Sequence, residues 1–436
     1  MSGVVSQLCA EVNLPKMLKV RQSFDKACIG REKIPEAVSA ELSKPGIGDA
    51  VKPGKRIAIT CGSRGVANIP VITKAIADFV KSRGALPFVV PAMGSHGGAV
   101  AEGQKNLLAL YGVTEESIGC PIISSMETVI IGRSEAGPPA PGKTGEQFYD
   151  VRIDKNAAGA DGIIVAGRIK PHTAFHGLYE SGIMKMMAIG LGKREGADIC
   201  HQLGFEYMAR MVPLFGRTII KHAPVIIGLG ILENAYSQTC KFAAMKPSEI
   251  DTMEPELLKE ARTHLPLIPF DSTDVLIVDR IGKDISGDGM DPNIVGAGPC
   301  SPYVKGGIST NRIVILDLTP ETHGVALGIG AAHAITKRLF DQIDFDATYV
   351  NAITSRGIDY VRVPAITAND REAIRLALRT CIGHDTAKPK IIRISDSLHT
   401  ETFYVSEALE ADAKKKGLEI LEGPKEWNFD SDGNLW

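Results

Sequence analysis

The sequence predicts an α/β protein of two domains with mainly parallel sheets. Short apolar runs rich in β-branched residues alternate with longer helix-like segments along most of the chain, the pattern of strand, crossover helix and next parallel strand. At 436 residues, the chain exceeds what one hydrophobic core usually organises. A charged, proline-bounded helical stretch, KPSEIDTMEPELLKEARTHL at 246–265, separates two alternating halves and reads as a connector. The expected boundaries are 1–268 and 269–436.

Taken in order, RIAITCGSR (56–64) reads as a buried strand running into a loop, and IPVITKAIADFVKSRG (69–84) as the helix after it. LPFVVPAMG (86–94) is the next strand, with a helix around EGQKNLLALYG (102–112). GADGIIVAGRI (159–169) and HAPVIIGLGILE (222–233) supply two more strands. Beyond the connector, TDVLIVDRIG (273–282) and NRIVILDLTP (311–320) begin a second set. A helix over VALGIGAAHAITKRLFDQI (325–343) and strands at AITSR (352–356) and KIIRISD (390–396) continue it.

Composition removes several function classes. With 49 basic and 51 acidic residues, the balance supports no nucleic-acid or membrane-surface role. Eight dispersed cysteines with no C-x-x-C pair give no zinc ribbon, c-type haem or thioredoxin motif, and no disulfide framework is expected. The first twenty residues lack the basic start and apolar run of a signal peptide, and no stretch has the length of a membrane span. A cytoplasmic protein is expected.

The densest chemistry lies in RIKPHTAFHGLYESGIMKMMAIGLGKREGADICH (168–201), which holds His172, His176, Lys185 and His201. Imidazole accepts protons near neutrality and ligates metals. A partly desolvated lysine is a nucleophile, although Lys185 also reads as a snorkelling or salt-bridged residue in its apolar stretch. Three other segments follow strand-like runs, so they are expected at the carboxyl edge of a sheet, where ligands bind. In CGSRGVANIP, Arg64 suits a carboxylate or phosphate, or is an ordinary solvated loop arginine. In AMGSHGGA, His96 is flanked by glycines that expose it to a ligand. In GKDISGDGMDPNIVGAGP (282–299), Lys283 and Asp288 belong to a polar loop expected to touch substrate; the EF-hand spacing is absent. The G-x-G strings at 189–193 and 227–233 complete no dinucleotide fingerprint, and there is no Walker A motif.

Together these segments resemble the lactate racemase family of nickel-pincer-nucleotide-dependent 2-hydroxyacid racemases and epimerases. The resemblance spans most of the chain in element order and sharpens at a few positions. These are Arg64, His96 in GSHGG, Pro171–His172, Lys185 in SGIMK, and His201 sixteen residues further on. It implies an isomerase whose N-terminal domain, 1–268, binds the cofactor and whose C-terminal α/β domain, 269–436, closes the cleft over the site. Lys185 would hold the pyridinium-3-thioamide-5-thiocarboxylate mononucleotide covalently, and His201 would ligate its nickel, square-planar as Ni(II) favours. His96 and His172 would be the acid/base pair: one takes the hydroxyl proton as the C2 hydride leaves, and the other serves the opposite face. Arg64 would orient the substrate, with His176, Lys283 and Asp288 as further contacts. The implied partners are a small 2-hydroxyacid and the enzymes that make and load the cofactor.

Three departures point away from lactate toward a larger or more polar hydroxyacid. Cys61 stands where the family often has an acid. The stretch between His172 and Lys185 is three residues longer, which adds His176. The family's glutamine and lysine contacts have no clean counterpart in 282–299. Two other readings remain at this point. One is a zinc or iron enzyme using His172, His176 and His201 directly, with the first two four residues apart as metal-ligand pairs on a helix are. The other is a non-catalytic binder of small acids.

Overall fold

The computed structural model describes residues 3–62, 65–140, 142–298 and 303–436, so Arg64 and Cys300 lie outside the described residues. The strands run in the order β1 Met17–Arg21, β2 Arg56–Cys61, β3 Leu86–Pro91, β4 Thr128–Arg133, β5 Asp150–Asp154, β6 Gly162–Arg168, β7 Val225–Glu233 and β8 Thr239–Met245. There follow β9 Ser272–Ile281, β10 Ser309–Leu318, β11 Ala334–Thr336, β12 Ala365–Thr367, β13 Ile391–Ile394, β14 Thr402–Ser406 and β15 Glu419–Lys425. The chain is α/β with mainly parallel sheets, and it divides into two compact units. One takes Asp25–His264; the other takes Leu265–Trp436 together with the chain up to Phe24.

The first unit is built on a sheet of order β3-β2-β6-β7-β8, parallel except for the β7–β8 pair. Alternation along β2 sends Ile57, Ile59 and Cys61 to one face and Ala58 to the other. On the first face lies helix α1, Ile69–Ser82, through Ile72, Ile76 and Val80; each fully buried side chain of this kind contributes roughly 1.5–3 kcal/mol over exposure. The other face takes helix α4 (Phe205–His222, with Met208, Met211 and Phe215 inward), and helix α5 (Ile250–Thr263, with Ile250, Leu257 and Leu258). Helices α2, Ala101–Leu110, and α3, Lys193–His201, lie beyond the ends of β3 and β6 in sequence. The charged stretch read as a connector is therefore α5 in its central part, packed into the core of this unit, and the chain passes to the other unit only at Leu265. An antiparallel β4–β5 ribbon completes the fold.

The second unit holds an eight-stranded sheet, β12-β11-β10-β9-β13-β14-β1-β15, parallel from β12 to β13 and antiparallel beyond. Strand β1 lies between β14 and β15, which draws the first residues of the chain into this unit. Two local expectations differ here. The helix expected over 325–343 is a 3-10 turn at Ile329–Ala331, strand β11 and a short helix at Lys337–Asp341. Ala334 and Ile335 are fully buried in the sheet beside β10, so neighbouring strands override the local pattern. AITSR, read as a strand, ends the helix Phe345–Ser355. Among the described residues no helix is long and apolar enough to cross a membrane.

Candidate functional site

Three of the four candidate segments follow the carboxyl ends of β2, β3 and β6 within the first unit. Past its ladder with β2, strand β6 stays coupled to it because Thr60 Oγ1 donates to Ala166 O at 3.1 Å and accepts Ala166 N–H at 2.9 Å. At the tip of β6, Arg168 Nη1 donates to Glu233 Oε2 at 2.6 Å and to Gly65 O at 3.1 Å, while Glu233 Oε1 accepts Ala67 N–H at 2.7 Å. This ion pair fixes the chain just after Arg64. Cys61 points into the core beneath α1, fully buried, and burial pushes its thiol up to about 12. The position where the family often has an acid is thus part of the packing here.

The loop from Lys170 to Ser181 closes on itself through two backbone bonds between those residues, at 3.1 and 3.2 Å. Inside it the fully buried Glu180 accepts the N–H groups of His172 (2.7 Å) and Gly177 (2.9 Å) and pairs with Arg262 of α5. The His172 ring leans on Phe175, centroids 4.5 Å apart. Its Nδ1 accepts Ala174 N–H at 3.0 Å, and its Nε2 lies 2.6 Å from Lys185 Nζ. With Nδ1 taken by that amide, Nε2 is the ring nitrogen turned to Lys185, so imidazole and amine form one hydrogen-bonded pair. An imidazole against a lysine amine is a local proton acceptor beside a potential nucleophile. His176 is half-buried in the same loop, whose Gly177 packs on Ala209 of α4.

Lys185 ends a helical turn, Ile183–Lys185, that continues as a π-helix over Met186–Leu191, a wide turn frequent at functional sites. At its start the buried Glu254 of α5 accepts Met184 N–H at 3.0 Å and also Ile183 N–H, two donors a helix N-terminus leaves unsatisfied. The approach requires glycine at 182, where a Cβ would lie 2.0 Å from Glu254 Oε1. Burial pushes the Glu254 carboxyl up to about 8. Its folded value exceeds its unfolded one, so its stabilising effect is complete below the unfolded value near 4.5 and is lost as pH rises through 8. Glu254→Gln is therefore expected to become progressively more stable than the wild type between pH 5 and 9 in thermal unfolding scans; a pH-independent difference would contradict the assignment.

His96 is exposed in the turn after β3. Gly97 there has φ +66°, and a Cβ would lie 2.6 Å from the Gly103 carbonyl carbon, so only glycine lets the turn fold back on α2. Gly94 N–H bonds Gly190 O of the π-helix at 3.2 Å, with Ile189 and Ala197 packed around it. The His96 turn, the Lys185 helix and α3 thus meet. Gln104 of α2 donates to Gly94 O (2.9 Å) and His96 O (3.2 Å). Its own amide oxygen accepts from Lys193 Nζ at 3.0 Å. Lys193 has a strained φ of +54° and is fully buried; Nζ also donates to Pro91 O and faces Asp154 Oδ2 at 3.2 Å. That last contact is an ion pair without hydrogen-bond alignment, whereas Asp154 Oδ1 accepts the amides of Asn156 and Ala157. Desolvation lowers the Lys193 pKa, and Asp154 opposes it.

His201 closes α3. Its Nδ1 lies 2.7 Å from Ala197 O, and a carbonyl can only accept, so Nδ1 carries the proton and Nε2 the lone pair, the tautomer of a metal-ligating histidine. Among the described residues no group of three or more His, Cys, Asp or Glu side chains is placed to hold a metal ion. The three-histidine zinc or iron centre is accordingly not assembled, and His172 has both ring nitrogens engaged in a loop rather than on a helix face. Lys283 and Asp288 lie in the other unit, in the loop after β9, where Lys283 N–H bonds Thr322 Oγ1 at 3.2 Å. Glu180, Glu254, Gln104, Lys193 and Asp154 gave no motif signal. They lie apart in sequence, and each bonds at least one backbone group.

No family model and no curated protein matches the chain. Among solved structures the chain is similar to the lactate racemase apoprotein from Thermoanaerobacterium thermosaccharolyticum. The two share 15% sequence identity at a TM-score of 0.48, with 88% of this chain and 99% of that chain covered.

Proposed function

We propose that the chain is a racemase or epimerase inverting C2 of a 2-hydroxyacid other than lactate, with a nickel-pincer nucleotide held at Lys185. The observation that carries this reading is the 2.6 Å contact between His172 Nε2 and Lys185 Nζ, which sets an imidazole as proton acceptor against the amine. Together with the lone pair on His201 Nε2, the chain offers one nucleophilic nitrogen and one imidazole donor, the two protein groups this cofactor needs. When bound, the cofactor supplies the hydride acceptor for the substrate C2 hydrogen.

The remaining work falls to the chain. With the nucleotide held at Lys185 as a thioamide, that nitrogen would no longer offer His172 an amine, and Nε2 would be left to a substrate hydroxyl. Burial of Glu180 beneath the His172 amide fixes the ring's approach. His96, from a different strand end, serves the opposite face, since inversion needs a proton donor and acceptor on each side. Arg64 takes the substrate carboxylate.

The test uses full-length protein co-produced with the cofactor-biosynthesis enzymes. A mass increment is expected on the peptide containing Lys185, with optical inversion of at least one acid in a polarimetric screen of 2-hydroxyacids. His172→Ala is expected to retain the increment and lower inversion by about 10²–10⁴-fold. An unmodified Lys185 together with no inversion of any acid would overturn the proposal.

A further inference from the structure

Asp251, Glu254, Leu258 and Arg262 recur at i, i+3, i+7 and i+11 along α5 and so share one helical face. Leu258 is buried in the core, and each of the three polar residues takes hold of a different point in the segment between Lys170 and Lys185. Asp251 Oδ1 accepts Tyr179 O–H at 2.8 Å and is paired with Arg217 Nε at 3.0 Å. Glu254 accepts the amides that open the Lys185 helix. Arg262 pairs with Glu180, which holds the His172 amide. The motif-bearing segment contains none of these side chains except Glu180 and Tyr179.

We propose that Glu254 and Arg262 are positioning residues: from one face of α5 they set where the Lys185 helix and the His172 loop sit, and thereby hold His172 Nε2 against Lys185 Nζ. The proposal rests on the reading of Lys185 and His172 as site residues, and it assigns the segment's geometry to a helix the motifs do not touch. The chemistry is consistent at each end. The two amides at the start of the Lys185 helix have no helical acceptor, so the helix is placed wherever their acceptor is placed. His172 presents Nε2 to Lys185 only while its ring keeps Nδ1 on Ala174 N–H, and Glu180 holds the backbone from which that ring departs. At neutral pH the Glu254 carboxyl, raised to about 8, is largely protonated, so glutamine reproduces its size and its accepting oxygen.

Competitive labelling of the full-length apoprotein with limiting acetic anhydride at pH 7, read lysine by lysine by mass spectrometry, tests this. The anhydride reacts with neutral amines only, and exposed Lys52 serves as the internal reference. In the wild type, Lys185 is expected to label faster than Lys52. Glu254→Ala and Arg262→Met are each expected to lower the Lys185-to-Lys52 ratio by about tenfold, the effect of losing one buried hydrogen-bonding partner, and Glu254→Gln to stay within about twofold of the wild type. Thermal unfolding recorded alongside identifies the folded variants; a loss of stability alone does not move the ratio in the folded protein. Arg262 is more than a third exposed on its side chain, so its variant stands in if Glu254→Ala fails to fold. Wild-type labelling ratios in folded Arg262→Met and Glu254→Ala would overturn the proposal. The readout needs no cofactor: a normal Lys185 increment in co-produced protein with unchanged labelling ratios defeats the positioning role alone, and the reverse pattern defeats the racemase reading alone.

Discussion

A chain carrying Lys185→Arg is expected to acquire no mass increment when co-produced with the cofactor-biosynthesis enzymes, and to lose hydroxyacid inversion by on the order of 10³-fold or more, roughly 4 kcal/mol of barrier. Arginine is close to lysine in length but never provides a neutral amine nucleophile. Its planar guanidinium also cannot reproduce the amine's place against His172 Nε2, so the contact must be remade or lost. The variant separates the two roles left open for this lysine by its apolar setting. A lysine that merely snorkels or pairs tolerates arginine with small losses; a nucleophile does not. An increment on the variant's peptide, or inversion within tenfold of the wild type, would remove Lys185 from the chemistry.

The largest effect on stability is expected at Lys193. Both it and Asp154 are fully buried and face each other at 3.2 Å. Lys193→Met strands the Asp154 charge in the core and withdraws the donor shared by Pro91 O and Gln104. Breaking such a pair on one side costs about 3–5 kcal/mol. Lys193→Met combined with Asp154→Asn is expected to recover at least half of that, because the charge is gone while the asparagine still caps Asn156 and Ala157. Urea denaturation of the single and double variants decides the matter, and a single-variant cost below about 1 kcal/mol would show the pair to be dispensable.

What the sequence made legible follows from the range of the forces involved. The strands at 56–61, 86–91, 162–168 and 225–233 and helix α1 announce themselves through side-chain periodicity and composition, which are local. His172 and Lys185 were legible as chemistry because proline and glycine isolate them in an apolar stretch. Their contact was not: Glu180 and Glu254 beside it bond backbone amides, which leave no trace in residue type, and Arg262 meets Glu180 from 82 residues away in sequence. Gln104 and Lys193 behind His96 are likewise silent in sequence, bonding the backbone carbonyls of Gly94, His96 and Pro91. Strand β1 was missed for another reason: Met17–Arg21 is stabilised by β14 and β15, hundreds of residues away. Strand β11 shows the complementary failure, a three-residue strand hidden inside a longer helix-like pattern and held extended by β10 and β12 on either side.

The division of the chain has a consequence for how such a protein can change. The Asp25–His264 unit begins and ends beside one strand: Ile29 N–H bonds Thr239 O at 2.8 Å, and His264 Nδ1 lies 3.6 Å from Cys240 Sγ. In the other unit, the segment before the break is tied to the segment after it, with Gln22 Nε2 donating to Leu267 O at 3.0 Å and to Thr400 O at 2.8 Å. Each unit thus closes its own gap. A block of some hundreds of residues with adjacent ends, set into a host whose ends are also adjacent, can be acquired, exchanged or lost in a single genetic event that leaves both cores intact. The proposed tethering lysine, the two histidines proposed as the acid/base pair and the helix proposed to position the segment would travel in that block together.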